Sequence, residues 1–108
     1  MESARCRAFV KSAEEGSFTA AGKSLDYTPS GVSQLVRALE EELGLPLLIR
    51  KNRGVVLTRE GESIYPQVLE FLNREDAIFG MAKDVRELTA GTITIATFTS
   101  IATHILPG

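Results

Sequence analysis

Tryptophan is absent from this sequence, cysteine and histidine occur once each, and aromatic residues make up only 6% of its 108 positions. A lone cysteine, Cys6, excludes an intrachain disulfide, and together with the lone His104 it excludes zinc sites built on Cys/His spacing. No paired carboxylates, no nucleophile beside a base and no glycine-rich phosphate loop can be assembled from these residues. An enzyme is therefore not expected, and no catalytic residue, metal ligand or cofactor is assigned; His104, near an apolar segment, reads as structural. Apolar runs near the roughly twenty residues of a membrane span are missing, as is a signal peptide, so a cytoplasmic protein with no membrane partner is expected. Strong charge of one sign is missing too. The formal net charge is −2: residues 1–61 hold nine Lys/Arg against eight Asp/Glu, and residues 62–108 hold three against six. The first part is thus +1 and the second −3, so any case for a polyanionic partner rests on where the cations sit.

What is present is helical patterning, clearest over residues 28–44. Val32, Leu35, Val36, Leu39 and Leu43 recur at steps of three and four and gather into one stripe. Ser30, Ser33, Gln34 and Arg37 lie opposite, offering short donors and acceptors. Thr28 suits an N-cap and Pro29 a first helical residue, since proline has no N–H to leave unpaired there. Glu40, Glu41 and Glu42 crowd the far end, where they would repel a polyanion. Only the N-terminal half of this helix suits an approach to phosphate.

Two shorter helices precede it. Cys6, Phe9, Val10 and Ala13 form a stripe over residues 3–15, with Gly16 as the stop, and Cys6 reads as a small buried hydrophobe. Ser17 caps a helix over residues 18–25 with Ala20, Ala21 and Leu25 inward. Gly22 within it costs about 1 kcal/mol against alanine, which points to a close approach by another backbone. The tight link Asp26-Tyr27 then joins this helix to the next, as in a helix-turn-helix, although any helical hairpin of a bundle would share the spacing. Residues 45–49 and 55–57 are apolar and flank Arg50-Lys51-Asn52-Arg53-Gly54, a hairpin signal with cations at its tip. Such a wing suits phosphate or the minor groove.

The combination FVKSAEEGSFTAAGKSL, TPSGVSQLVRALEEELGLPLLIR and VVLTREG resembles the N-terminal winged helix-turn-helix of LysR-type transcriptional regulators, nearly unbroken over residues 9–61. Gly16 to Ala21, Val32-Ser33, Leu39-Glu40, Leu43-Gly44 and Leu57-Thr58 carry the family's motifs. Gly22 departs from the usual helix former, Leu48 from a common phenylalanine, Pro29 from a frequent glutamine and Gln34 from a frequent arginine. The last two are groups that could read bases, so a relative's target sequence does not transfer.

The expected fold is mainly α: a winged helix-turn-helix of three helices and a short β-hairpin over residues 1–58, with the helix-turn-helix at about 18–37. A long dimerisation helix follows over 59–90, capped by Thr58. Its seam of Ile64, Val68, Phe71, Glu75, Ile78, Ala82 and Val85 asks for a partner helix, most simply a second copy of the chain. Pro66 predicts a bend or a late helix start. Residues 92–97 alternate as a strand, and residues 91–108 read as the start of a truncated effector-binding domain. Resemblance implies that Thr99 and Ser100 belong to the effector pocket of the intact protein, which would take a small molecule.

Function follows as sequence-specific binding of double-stranded DNA by a homodimer, or by a tetramer when intact. Pro29, Ser30, Ser33, Gln34 and Arg37 would face the major groove behind the cap Thr28. Ser17 and Thr19 would hold phosphates, and Arg50, Lys51 and Arg53 would supply wing contacts. Two alternatives remain open from sequence: a protein-interaction module working through the long helix, and a winged-helix regulator of the molybdate-responsive type.

Overall fold

The computed structural model describes residues 1–89. The order of elements is α1 (Ser3–Glu15), α2 (Phe18–Leu25), α3 (Pro29–Leu43), β1 (Leu48–Lys51), β2 (Gly54–Leu57) and α4 (Arg59–Thr89). The expected strand at 92–97, the effector residues Thr99 and Ser100, and His104 lie outside the described residues.

The helix boundaries follow the capping chemistry. Ala20 N–H donates to Ser17 Oγ at 3.0 Å, and Gly31 N–H donates to Thr28 Oγ1 at 3.0 Å, so both expected N-caps form. Pro29 stands in the first turn of α3. Gly16 and Gly44 close α1 and α3 in the left-handed region, at φ 73° and 75°. At Gly22 the close approach read from the sequence is real: a Cβ there would press on the carbonyl oxygen of Tyr27 in the turn between α2 and α3. Thr58 caps α4 by accepting from Gly61 N–H at 2.8 Å, while its hydroxyl donates to the Pro46 carbonyl at 2.6 Å.

One core holds these elements together. Phe9 and Cys6 from α1, Ala21 from α2, Val32, Val36 and Leu39 from α3, and Leu47 all bury into it. Burying a Val, Leu or Phe side chain contributes about 1.5–3 kcal/mol, so this cluster is the main source of the domain's stability. Ser12 is buried with them and its Oγ has no partner.

The hairpin differs from the sequence reading in its position along the chain. Residues 45–49 do not form the first strand, which begins only at Leu48 and takes Arg50 and Lys51 into the ladder. Register is antiparallel, Leu48 with Leu57, Ile49 with Val56, Arg50 with Val55 and Lys51 with Gly54, leaving Asn52-Arg53 as the turn. Leu47 causes the shift: its side chain is drawn fully into the core. Its N–H and that of Leu48 donate to Glu40 Oε2 at 2.7 and 3.2 Å, instead of extending the ladder.

Two compact units divide the chain, Met1–Leu72 and a second beginning at Asn73. The first unit reaches beyond the expected boundary at 58 because the opening turns of α4 supply core. Val68 and Leu72 are 3% and 8% exposed, Ile64 packs against the same cluster, and Tyr65 meets Phe9 edge-to-face at 6.0 Å between ring centroids. Ile64 and Val68 were expected on a dimer seam; the structure uses them inside their own domain, where the same stripe periodicity serves core packing. Helix α4 starts at Arg59 and runs through Pro66, so a late start is not how that ring is accommodated.

Candidate nucleic-acid interface

Three elements of the first unit converge on one open cleft of about 460 Å³. The start of α2 contributes Ser17 and Thr19; α3 contributes Pro29, Ser30, Ser33, Gln34 and Arg37; the hairpin contributes Arg50 and Arg53. Nine residues singled out from sequence are thereby brought together, although the three stretches are separated by up to thirty positions in the chain. Thr28 and Lys51 do not line the cleft. Thr28 has its oxygen turned to the α3 cap, and Lys51 pairs with Gly54 farther along the hairpin.

The chemistry of the lining is uniform. Pro29, Ser30, Gln34 and Arg37 are exposed along the front of α3, and Ser33 is half-buried between them. Arg37, Arg50 and Arg53 supply positive charge, no carboxylate lines the cleft, and among the described residues no ion pair engages these three cations. Acids are kept elsewhere: Glu40 is taken up by the backbone before β1. Glu42 accepts from Arg5 Nη1 at 3.1 Å and meets the N-terminal ammonium at 3.0 Å. Those contacts, led by the ammonium, hold the Glu42 carboxyl below its ordinary pKa of 4.5. The Ser17 and Thr28 oxygens accept from their own helices, yet each hydroxyl hydrogen remains able to donate outward.

Sequence reasoning missed three contributors. Phe18 lines the cleft, and its ring lies beneath the Arg50 guanidinium, 5.4 Å from ring centroid to guanidinium carbon. Val55 N–H donates to the Gly16 carbonyl at 2.9 Å, tying the wing to the residue just before α2. Gly54 permits that tie, since a Cβ at this position would collide with the same carbonyl. A glycine beside a cationic turn was the only signal in the sequence, and it reads equally well as a plain hairpin turn.

Beyond Asn73, Ile78 and Val85 of the expected seam are 67% and 38% exposed and Ala82 is half-buried. Phe79 and Met81, outside the heptad reading, are exposed as well. In the first unit Phe71 is exposed at 37%. Among the described residues no group of acids, cysteine and histidine could hold a metal ion, and no helix is long and apolar enough to cross a membrane.

A helix-turn-helix whose second helix presents a polar front, flanked by a cationic two-stranded wing, defines the winged helix-turn-helix class of DNA-binding domains. Residues 4–62 match the family model described as bacterial regulatory helix-turn-helix protein, lysR family, and this chain belongs to that family. It is 41% identical over 105 residues to the transcriptional regulator PgrR of Escherichia coli (strain K12), covering 97% of this chain and 35% of PgrR. Against the regulator BudR of Klebsiella aerogenes it is 38% identical over 104 residues, 96% of this chain and 73% of BudR. The solved complex of the BenM DNA-binding domain with benA site 1 DNA superposes with a TM-score of 0.73 at 37% identity, covering 80% of this chain and 97% of that one. The family match decides against the molybdate-responsive type, and the relatives favour DNA regulation over a protein-interaction module. The chain spans about a third of the length of relatives such as PgrR.

Proposed function

We propose that this chain is the DNA-reading part of a transcription regulator, in which α3 enters the major groove and the hairpin lies along the adjoining backbone or minor groove. One observation carries the assignment: Ser33, Gln34 and Arg37 share a single acid-free cleft with Arg50, Arg53 and the start of α2. Ser30, Ser33, Gln34 and Arg37 meet base edges, and Pro29 meets a thymine methyl. Ser17 and Thr19 donate to phosphate beside the first N–H groups of α2, and Arg50, Lys51 and Arg53 neutralise phosphates. The relative solved with benA site 1 DNA supports this docking.

A homodimer through α4 presents two copies of α3 to half-sites about one helical turn apart, roughly 34 Å, and so selects inverted repeats. Its contacts are Phe71, Ile78, Ala82 and Val85. In the intact protein, Thr99 and Ser100 hold a small-molecule effector, and the whole acts in the cytoplasm by binding rather than by catalysis. Selection of bound duplexes from a random pool at about 50 and 200 mM salt tests the reading. Enrichment of an inverted repeat bound by two chains, with affinity falling steeply with salt, is the expected result. Folded, dimeric protein that enriches no sequence and is insensitive to salt would overturn it.

A further inference from the structure

Phe18 opens α2 between Ser17 and Thr19, packs against the hydrophobic core with part of its ring, and shows the rest to the cleft. The Arg50 guanidinium carbon stands 5.4 Å from the centroid of that ring. This lies within the roughly 6 Å over which a ring quadrupole attracts a cation. Strand register explains why this arginine, and neither of the other wing cations, is so placed. Arg50 pairs with Val55, and cross-strand partners share a face of the ladder. Val55 is 5% exposed, so its face is the inner one, and its N–H is anchored to the Gly16 carbonyl immediately before α2. Ile49 and Val56, 49% and 42% exposed, occupy the outer face. Lys51 falls outside the cleft, Arg53 belongs to the turn, and no ion pair engages Arg50 among the described residues.

We propose that Phe18 is a positioning residue for DNA binding, its ring holding the Arg50 guanidinium at the mouth of the cleft so that this charge meets a backbone phosphate already oriented. The inference rests on the DNA-reading function proposed above. A free arginine side chain gives up rotamer freedom when it contacts phosphate; one restrained by an aromatic ring has less to lose. Stacking on the ring leaves the edge N–H groups of the guanidinium open to a phosphate, whereas an ion pair would occupy them. Because phosphates carry no sequence, the benefit extends equally to every duplex.

Affinities of the full 108-residue chain are measured for a selected duplex and for a scrambled duplex of equal length, with wild type, Phe18→Leu, Phe18→Tyr, Arg50→Ala and the Phe18→Leu/Arg50→Ala pair. Phe18→Leu is expected to weaken both duplexes by roughly two- to five-fold, with Phe18→Tyr retaining wild-type affinity. In the Arg50→Ala background the same leucine is expected to cost nothing more. An equal loss with and without Arg50 would overturn the proposal, because the ring would then act through packing alone. Should Phe18→Leu melt below the assay temperature, the wild-type chain still decides: the Arg50 side-chain protons must show upfield ring-current shifts that Phe18→Tyr preserves, and unshifted protons overturn it. Wild-type protein that is folded and shows those shifts but binds neither duplex would overturn the DNA reading and leave the ring contact standing.

Discussion

In the proposed docking, the cleft-lining side chains of α3 and of the wing make different kinds of contact, and single substitutions separate them. Arg37 is exposed and Ser33 half-buried on the cleft side of α3, and neither belongs to the core, to which the helix contributes Val32, Val36 and Leu39. Arg37→Ala and Ser33→Ala are expected to reduce discrimination between a selected site and single-base variants by about 1 kcal/mol or more. Arg53→Ala is expected to weaken all sites more evenly and to make the salt dependence shallower by about one unit of slope. Competition binding across a panel of variant duplexes measures both. Glu42 gives a separate prediction, about stability. Its carboxyl is held below the ordinary value of 4.5, first by the N-terminal ammonium and then, against some opposing desolvation, by Arg5. A depressed carboxyl stabilises the fold fully above its unfolded pKa, and the contribution is lost as pH falls through the folded value. The melting-temperature gap between wild type and Glu42→Gln is therefore expected to be present at neutral pH and to close on acidification. The effect is small because the group faces water.

At the scale of elements, helices were legible in the sequence and the hairpin only in part. Ser17, Thr28 and Thr58 announce helix starts with short side chains that reach their own backbone, and Gly16 and Gly44 announce stops. Such signals are local, so a local reading recovers them. The entry to β1 depends instead on Glu40, seven positions before Leu47, which leaves no mark on the pattern of residues 45–49 although its carboxylate accepts from two of their N–H groups, those of Leu47 and Leu48. The division of α4 was hidden for a related reason. Ile64 and Val68 carry the same spacing as Ile78 and Val85, and periodicity does not say whether a stripe meets its own domain or another chain. In the site, the polar front of α3 could be read from one helix, whereas Phe18 beneath Arg50 needed the fold to bring α2 and β1 together. Gly54→Ala follows from the same geometry. A methyl group there forces the hairpin off the Gly16 carbonyl, and a stability loss of about 1–3 kcal/mol is expected in urea unfolding. Weaker binding of all duplexes should accompany it.

For the molecule as a whole, the apolar residues of α4 beyond Asn73 matter more than net charge. Ile78, Phe79, Met81 and Val85 are exposed together, and a charge placed among them should cost little in the folding of the first unit, whose core ends at Leu72. Ile78→Glu with Val85→Glu is expected to shift sedimentation from dimer to monomer while leaving the melting of the first unit unchanged. Binding to an inverted repeat should then fall towards that of a single half-site. A net charge of −2 does not oppose DNA binding, because no carboxylate lines the cleft that holds the three cations, while Glu40 and Glu42 of α3 are taken up by the Leu47 and Leu48 N–H groups and by Arg5.

The bond from Val55 N–H to the Gly16 carbonyl also makes the protein its own gauge. It is a single amide joining the wing to the turn before α2, so its hydrogen leaves for solvent only when those two pieces part. Its exchange rate with deuterium therefore counts how often the hairpin parts from that turn, one proton reporting on how firmly the wing is held.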